Sequence, residues 1–549
     1  MKNRIIPILL SVLTFISCLD LDETTYSDMQ VSDIYKTESD ADASTIGIYD
    51  NMLSSSMYSL PSMLGNTSST ANTRFVYIVS GGIHTETSHL EEYWSANYTL
   101  VRKANEVIAN LWNSPLDEEV KLPYIAEAMA LRAYGYFRLL RFWGDIPFRL
   151  AERDAWVSTF KLTPMADIYR FLIADLEWAL PYIWEPGVKP RGRLDNVGAR
   201  MILADIYLTC ASSARAYDPA TSARALKPYF TAFDNDKESY WTRVKELTEE
   251  VMGSSYYTLE TADWTRLWGY SGTYDSRSNR EHIWTSQVVP GVLGSKTLFK
   301  YTPTYSEYCP GQTVGELFMT FDWAASFDRN DIRFKEGIIW EYRDKRYAPH
   351  TNGNTYIEVW MRNLDDKYQE VAKGTVRTEG KNVWRYSSYQ RLQTKKFYDT
   401  TYTVTNNNIG PAIQMPYYRM AEAYLFYAEA ENELNSCTQD AVDKINAIRR
   451  RAGVTEYSAG AFSREKMREK IIDEREWEFA MEGKDIFTIM RCGVLEERSA
   501  WKEVAWNGIE GTTANPRPRT ADNYWLPYPN AERITNYELR DQVRMDYEK

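Results

Sequence analysis

Residues 417–454 read YYRMAEAYLFYAEAENELNSCTQDAVDKINAIRRRAGV, and residues 463–493 read SREKMREKIIDEREWEFAMEGKDIFTIMRCG. Their spacing predicts three amphipathic helices. In the first, Ala421, Leu425 and Ala428 fall at i, i+4 and i+7, so small residues line one face and a neighbouring helix can approach closely. In the second, Ala441, Ile445, Ile448 and Ala452 repeat that spacing, with Thr438 as N-cap and Gly453 as the stop just past the end. The third carries Met467, Ile471 and Phe479 on one stripe with Arg475 in its middle. An arginine on an apolar stripe needs carboxylates, and Glu478 and Glu482, three and seven residues on, are expected to supply them.

Three segments of this stretch carry a resemblance. They are Tyr418-Arg-Met-Ala-Glu-Ala-Tyr-Leu-Phe-Tyr-Ala-Glu-Ala430, Ile445-Asn-x-Ile-Arg-x-Arg-Ala-Gly453 and Glu474-Arg-x-x-Glu-Phe-x-x-Glu-Gly483. Together and in this order they resemble the SusD/RagB outer-membrane lipoproteins of Bacteroidetes. At one place the chain departs from that pattern. Where the family follows Glu-Gly with an Arg and, a turn later, an Asp, this chain has Asp485 and Thr488, which touches a local ion pair only. The resemblance implies a mainly α fold: a tetratricopeptide-like scaffold of helical pairs with a large, irregular, loop-rich excursion. It covers the chain from about residue 18 to the end, where Trp525-Leu526-Pro527-Tyr528-Pro529 resembles the family's closing segment.

The 549 residues carry a formal net charge of −12 and 44% hydrophobic residues, with 40 Tyr and 18 Trp. A chain this long can bury a large core. Its acidic balance argues against nucleic acid and against polybasic membrane adhesion, because no basic field collects phosphates. Residues 1–17 read as a lipoprotein signal peptide. Lys2 and Arg4 precede a mostly apolar run, Ile5 to Ile16, too short to span a bilayer. The run ends Phe15-Ile16-Ser17-Cys18, which resembles a lipobox and makes Cys18 the expected lipidation site. Lipid at Cys18 would anchor the protein to the membrane, stably with two or three acyl chains. Asp20, Asp22 and Glu23 follow, resembling the acidic signal that sends such lipoproteins to the cell surface. Cys210, Cys309, Cys437 and Cys492 show no metal spacing and read as buried thiols.

Along the remaining chain, helices are expected at 41–53, 94–111, from 126 to a stop at Gly144–Pro147, 166–180, 196–211 and 239–259. The third contains a further family-like run, Leu131-Arg-Ala-Tyr-Gly-Tyr-Phe137 followed by Gly144-Asp-Ile-Pro147. Residues 65–93 form a long polar loop, of the kind that is often functional. Residues 281–289 alternate as a strand does, and residues 290–415 are rich in Tyr, Gly, Asn and Thr with few helical stripes. A SusD-like domain spanning 18–549 is therefore expected in three parts: a helical part 18–260, a loop-rich ligand face 261–415, and a helical part 416–549.

Catalytic constellations are missing from the sequence. The four histidines form no HExxH pair, and neither GxSxG nor a phosphate-cradling glycine loop occurs. Glu474, Glu478 and Glu482 raise the thought of a glycosidase acid pair, but their helical spacing beside Arg475 favours a structural ion-pair network. Asp322, Asp328 and Asp331 resemble a calcium cluster only loosely, since Arg329 and Arg333 answer their charge equally well. No cofactor and no metal are expected. The aromatic residues remain. Most must be core, but Trp94, Tyr301, Tyr305, Tyr308 and Trp323 stand where no stripe requires them. A sugar ring offers an apolar C–H face to a flat aromatic and a belt of hydroxyls to polar groups, which Arg74, Asn72 and His84 could supply. The resemblance implies that loops of these two regions form a glycan-binding face. It also implies that the protein is not an enzyme and delivers oligosaccharide to a TonB-dependent, SusC-like outer-membrane transporter. Capture of peptide, as in the RagB branch, and a secreted glycoside hydrolase are the competing readings.

Overall fold

A computed structural model describes residues 34–53, 71–73, 88–150, 160–216, 232–271, 274–286, 317–319, 321–343, 355–358, 376–379, 381–386, 392–400, 414–498 and 524–540. Its scaffold is helical. The chain runs through α1 (Glu38–Tyr49), α2 (Ser88–Trp112), α3 (Glu118–Trp143), α4 (Met165–Ala179), α5 (Asn196–Ala216) and α6 (Lys237–Met252). Two short helices, α7 (Phe321–Ala325) and α8 (Ile332–Gly337), lie among brief strands. Then come α9 (Met420–Asn435), α10 (Gln439–Ala452), α11 (Arg464–Phe479) and α12 (Asp485–Arg491). The pairs α2/α3, α5/α6 and α9/α10 pack side by side, and α6 also packs on α9, so the N- and C-terminal helices form one continuous scaffold.

Local chemistry sets the helix limits. Thr438 Oγ1 accepts from Ala441 N at 3.2 Å to open α10, and Gly453 closes it with φ +76°, a left-handed turn that favours glycine. Ala421, Leu425 and Ala428 of α9 are fully buried, as the small-residue face requires. From Tyr124 to Trp143 every residue of α3 except Arg141 is buried, which makes α3 the central helix of the N-terminal part. Burial of that kind forces its charges into pairs. Arg132 meets Asp175 at 2.6 Å, and Glu127 accepts from both arms of Arg193 at 2.6 and 2.7 Å.

Helix α2 begins at Ser88, six residues before the expected start, because its buried stripe already runs through Leu90 and Tyr93. The expected strand shortens to His282–Thr285, paired antiparallel with Pro416–Arg419. All four of its residues are buried, so it is not the half-exposed strand that alternation suggests. The closing segment returns to the start of the scaffold. Leu526 N donates to Phe142 O at 2.7 Å, Trp143 Nε1 to Pro527 O at 2.8 Å, and Tyr528 Oη to Asp145 O at 2.6 Å.

Candidate functional site

Beside the His282–Thr285/Pro416–Arg419 strand pair lies a cluster of fully buried charges. Arg419 donates to Glu482 through Nε and Nη2, both at 2.9 Å, to Glu281 at 2.8 Å, and to Glu478 Oε1 at 2.7 Å. Arg451 joins Glu281 at 2.5 Å and Glu478 at 2.8 Å. Arg333 bridges Glu474 at 2.6 Å and Glu478 at 3.0 Å. Lys396 Nζ reaches Glu482 at 2.7 Å. Burial alone would raise the Glu482 carboxyl, but Arg419, Lys396 and Lys484 outweigh it and bring it down to about 2. Glu478 is likewise held far below the carboxylate range against burial by Arg451, Arg419 and Arg333. A glycosidase acid must keep its proton at working pH. Glu478 and Glu482 do the reverse, and the cluster is structural.

This arrangement corrects one expectation. Arg475 makes no ion pair with Glu478 or Glu482. Its Nε donates to Thr488 Oγ1 at 3.1 Å and its guanidinium lies over the rings of Phe426 and Phe479. The carboxylates are taken instead by arginines from distant parts of the chain, which helical spacing along α11 cannot reveal.

The charged cluster supports a surface cleft of about 500 Å³ lined by Asp263, Trp264, Thr265, Arg266, Trp268, Glu336, Lys395 and Tyr398. A single 3₁₀ turn, Trp264–Leu267, opens it, and Asp263 caps that turn by accepting from Thr265 N at 2.9 Å. Below, Trp264 Nε1 donates to Glu478 at 3.3 Å, while Arg419 lies 5.2 Å from the centre of the Trp268 ring. The two indoles are thus locked from underneath. Gly337 makes room for Trp264, whose Cη2 stands 2.9 Å from where a Cβ would be. At Gly269, φ is +81° and a Cβ would fall 1.9 Å from Tyr398 Cε1, so only glycine lets that ring lie against the backbone. Tyr398 is half-buried, and exposed Arg266 and Glu336 stand at the rim, Glu336 pairing with Lys395 at 3.4 Å. Trp268 Nε1 has no hydrogen-bond partner among the described residues. Trp264 and Trp268 are themselves 2% and 3% exposed, so they back the cleft rather than face it, and half-buried Tyr398 is the ring it offers to a ligand. One accessible ring, a mixed-charge rim and a volume in the range of small-ligand sites match a sugar's apolar face and hydroxyl belt.

Two residues expected to stack on ligand are core residues. Trp94 is 4% exposed, lies between Trp143, Tyr98 and Tyr528, and donates to Glu532 at 3.3 Å. The expected helix start at 94 missed that Trp94 already sits in the second turn of α2. Trp323 is 6% exposed, packs edge-on against Phe327, and donates to Glu476 O at 3.0 Å. Neither presents a face to a ligand. Arg74, His84, Tyr301, Tyr305, Tyr308, Cys18 and Cys309 lie outside the described residues, as does the side chain of Asn72. Cys210, Cys437 and Cys492 are buried thiols. Asp331 pairs with Arg333 at 2.7 Å and caps α8. Reasoning from the sequence missed the cleft altogether, though Trp264 and Trp268 four apart beside Asp263 and Gly269 were a usable signal.

Residues 237–543 match the SusD family model. The chain belongs to the SusD family. Residues 21–208 also match a model described as starch-binding, associating with outer membrane. SusD-like protein P2 of Formosa agariphila is 24% identical over 562 aligned positions, spanning 98% of this chain and 99% of that protein. Among solved structures, a SusD homolog from Bacteroides thetaiotaomicron shares the fold with a TM-score of 0.70 at 19% identity, over 92% of this chain and 97% of that one. Another, determined with xylogluco-oligosaccharide, has a TM-score of 0.66 at 20% identity, over 91% and 98%. These members share the tetratricopeptide-like helical scaffold. No described helix is long and apolar enough to cross a membrane.

Proposed function

We propose that this SusD-family protein is a cell-surface lipoprotein that captures oligosaccharide without cleaving it and passes it to a SusC-like, TonB-dependent transporter. The observation that carries the reading is the cleft in which Tyr398 lies over the buried indoles of Trp264 and Trp268, with a polar rim. The neighbour determined with xylogluco-oligosaccharide and the starch-binding description of the N-terminal match lend it support. In this reading residues 1–17 are removed, Cys18 bears the lipid, and the mature chain 18–549 is one domain. Its helical parts 18–260 and 416–549 carry the loop-rich part 261–415, to which every residue lining the cleft belongs. The chemistry asked of the protein is recognition alone. Stacked rings supply about 1 kcal/mol each beyond simple burial, so affinity is modest and release to a transporter is easy.

Affinity electrophoresis through gels containing single soluble polysaccharides tests this. At least one plant or algal polysaccharide should retard the wild-type protein, and Tyr398→Ala should migrate faster in that gel at an unchanged melting temperature. Equal retardation of the two proteins would place recognition outside this cleft.

A further inference from the structure

A second, partly open cavity of about 70 Å³ is lined by helices α2, α3, α5, α9, α11 and α12, by the α11–α12 connection and by the strand segment Met415–Tyr418. Its wall is cationic. Arg138, Arg141, Arg475, Lys484 and Arg491 line it, against the carboxylates of Asp205, Glu422 and Glu482. Each of those carboxylates is already engaged. Glu482 is held by Arg419 and Lys396, Glu422 accepts from Lys484, and Asp205 takes Tyr418 Oη at 2.8 Å and Arg141 at 3.5 Å. Arg491 has its own bidentate partner in Glu429, at 2.6 and 2.8 Å.

Arg475 is left over. It is 5% exposed, it has no carboxylate partner among the described residues, and its Nη1 makes no hydrogen bond. Burial, and then the neighbouring Arg491, press against its charge, and Glu422, Glu429 and Asp205 offset this only in part and from a distance. A buried guanidinium with no carboxylate in direct contact is unfavourable, and its flat fork matches two oxygens of one anion. A space of this volume exceeds the room one water needs.

We propose that this cavity binds one small oxyanion, either an inorganic phosphate or sulfate or a free carboxylate, held by Arg475 Nη1 and the surrounding cations. The site is separate from the aromatic cleft. It would fix the turn between α11 and α12 as a bound structural anion does.

The test is thermal melting of the full-length protein at constant ionic strength, with sodium chloride replaced stepwise by phosphate, sulfate or acetate. One tetrahedral anion or acetate should raise the melting temperature saturably. The rise should reach about 2 °C at a hundredfold excess over its dissociation constant. Whether phosphate and sulfate or acetate act distinguishes the two sources. Arg475→Met, with an unchanged far-ultraviolet spectrum, should lose the saturable rise. Should that variant fail to fold, a crystal of the wild type soaked in selenate should show anomalous signal at Arg475. Melting curves that follow ionic strength alone, or water density only in the soaked cavity, overturn the proposal.

Discussion

Arg419 is the cation on which the buried cluster turns, and Arg419→Met measures what the cluster contributes. Methionine keeps most of the volume and removes every hydrogen bond. The guanidinium now makes four to carboxylates of Glu281, Glu478 and Glu482 and a fifth to Glu478 O at 2.9 Å. All three carboxylates have fully buried side chains. Glu478 keeps Arg451 and Arg333, and Glu281 keeps Arg451, but Glu482 is left with Lys396 and the more distant Lys484 at 3.9 Å. Breaking a buried pair from one side costs about 3–5 kcal/mol, because the remaining charge stays buried. With an unfolding entropy of about 2.1 cal/mol/K per residue, 549 residues give roughly 1.2 kcal/mol/K, so the melting temperature should fall by about 3–4 °C. Urea unfolding followed by circular dichroism is the assay, with midpoints compared at a shared slope. A loss below about 1 kcal/mol would refute the reasoning, since it would mean the carboxylates find water or other cations without penalty.

Trp94→Ala and Trp323→Ala should each cost about 3–5 kcal/mol of stability, as buried aromatic truncations do, while the folded protein keeps its glycan affinity in calorimetry. Gly269→Ala should destabilise the protein and weaken glycan binding together, because the added methyl displaces Tyr398 and the backbone stays left-handed; the Tyr398→Ala variant should bind equally weakly. The folded-state carboxyl of Glu482 lies at about 2, below its ordinary 4.5. Its contribution, on the order of 3 kcal/mol, is therefore complete above about pH 5 and lost as pH falls toward 2, which acid titration of the urea midpoint should follow.

The helices were legible because their signals are local. The α9 face Ala421, Leu425 and Ala428, the Thr438 cap and the Gly453 stop need only neighbours three or four residues away. The partners of Glu478 were not legible for the opposite reason. Arg419, Arg451 and Arg333 converge on it from separate segments, and Arg475, which shares its helix, points to Phe426 and Phe479 instead. The same limit hid the true surroundings of two of the expected ligand residues. Trp94 and Trp323 look unclaimed in sequence because the rings that bury them, Trp143, Tyr528 and Phe327, come from other turns or from hundreds of residues away. Trp264 and Trp268 belong to a cleft only because Lys395 and Tyr398 fold back over them, after more than a hundred intervening residues.

The central claim is non-catalytic glycan capture at this cleft. It is tested most directly by isothermal titration of the wild-type protein and Tyr398→Ala with an oligosaccharide cut from whichever polysaccharide retards the protein in gels, followed by chromatography of the recovered sugar. The account predicts one-to-one binding to the wild type, at least tenfold weaker binding to the variant, and oligosaccharide recovered intact. Equal affinity in both proteins, or shortened sugar after incubation with the wild type, would contradict it.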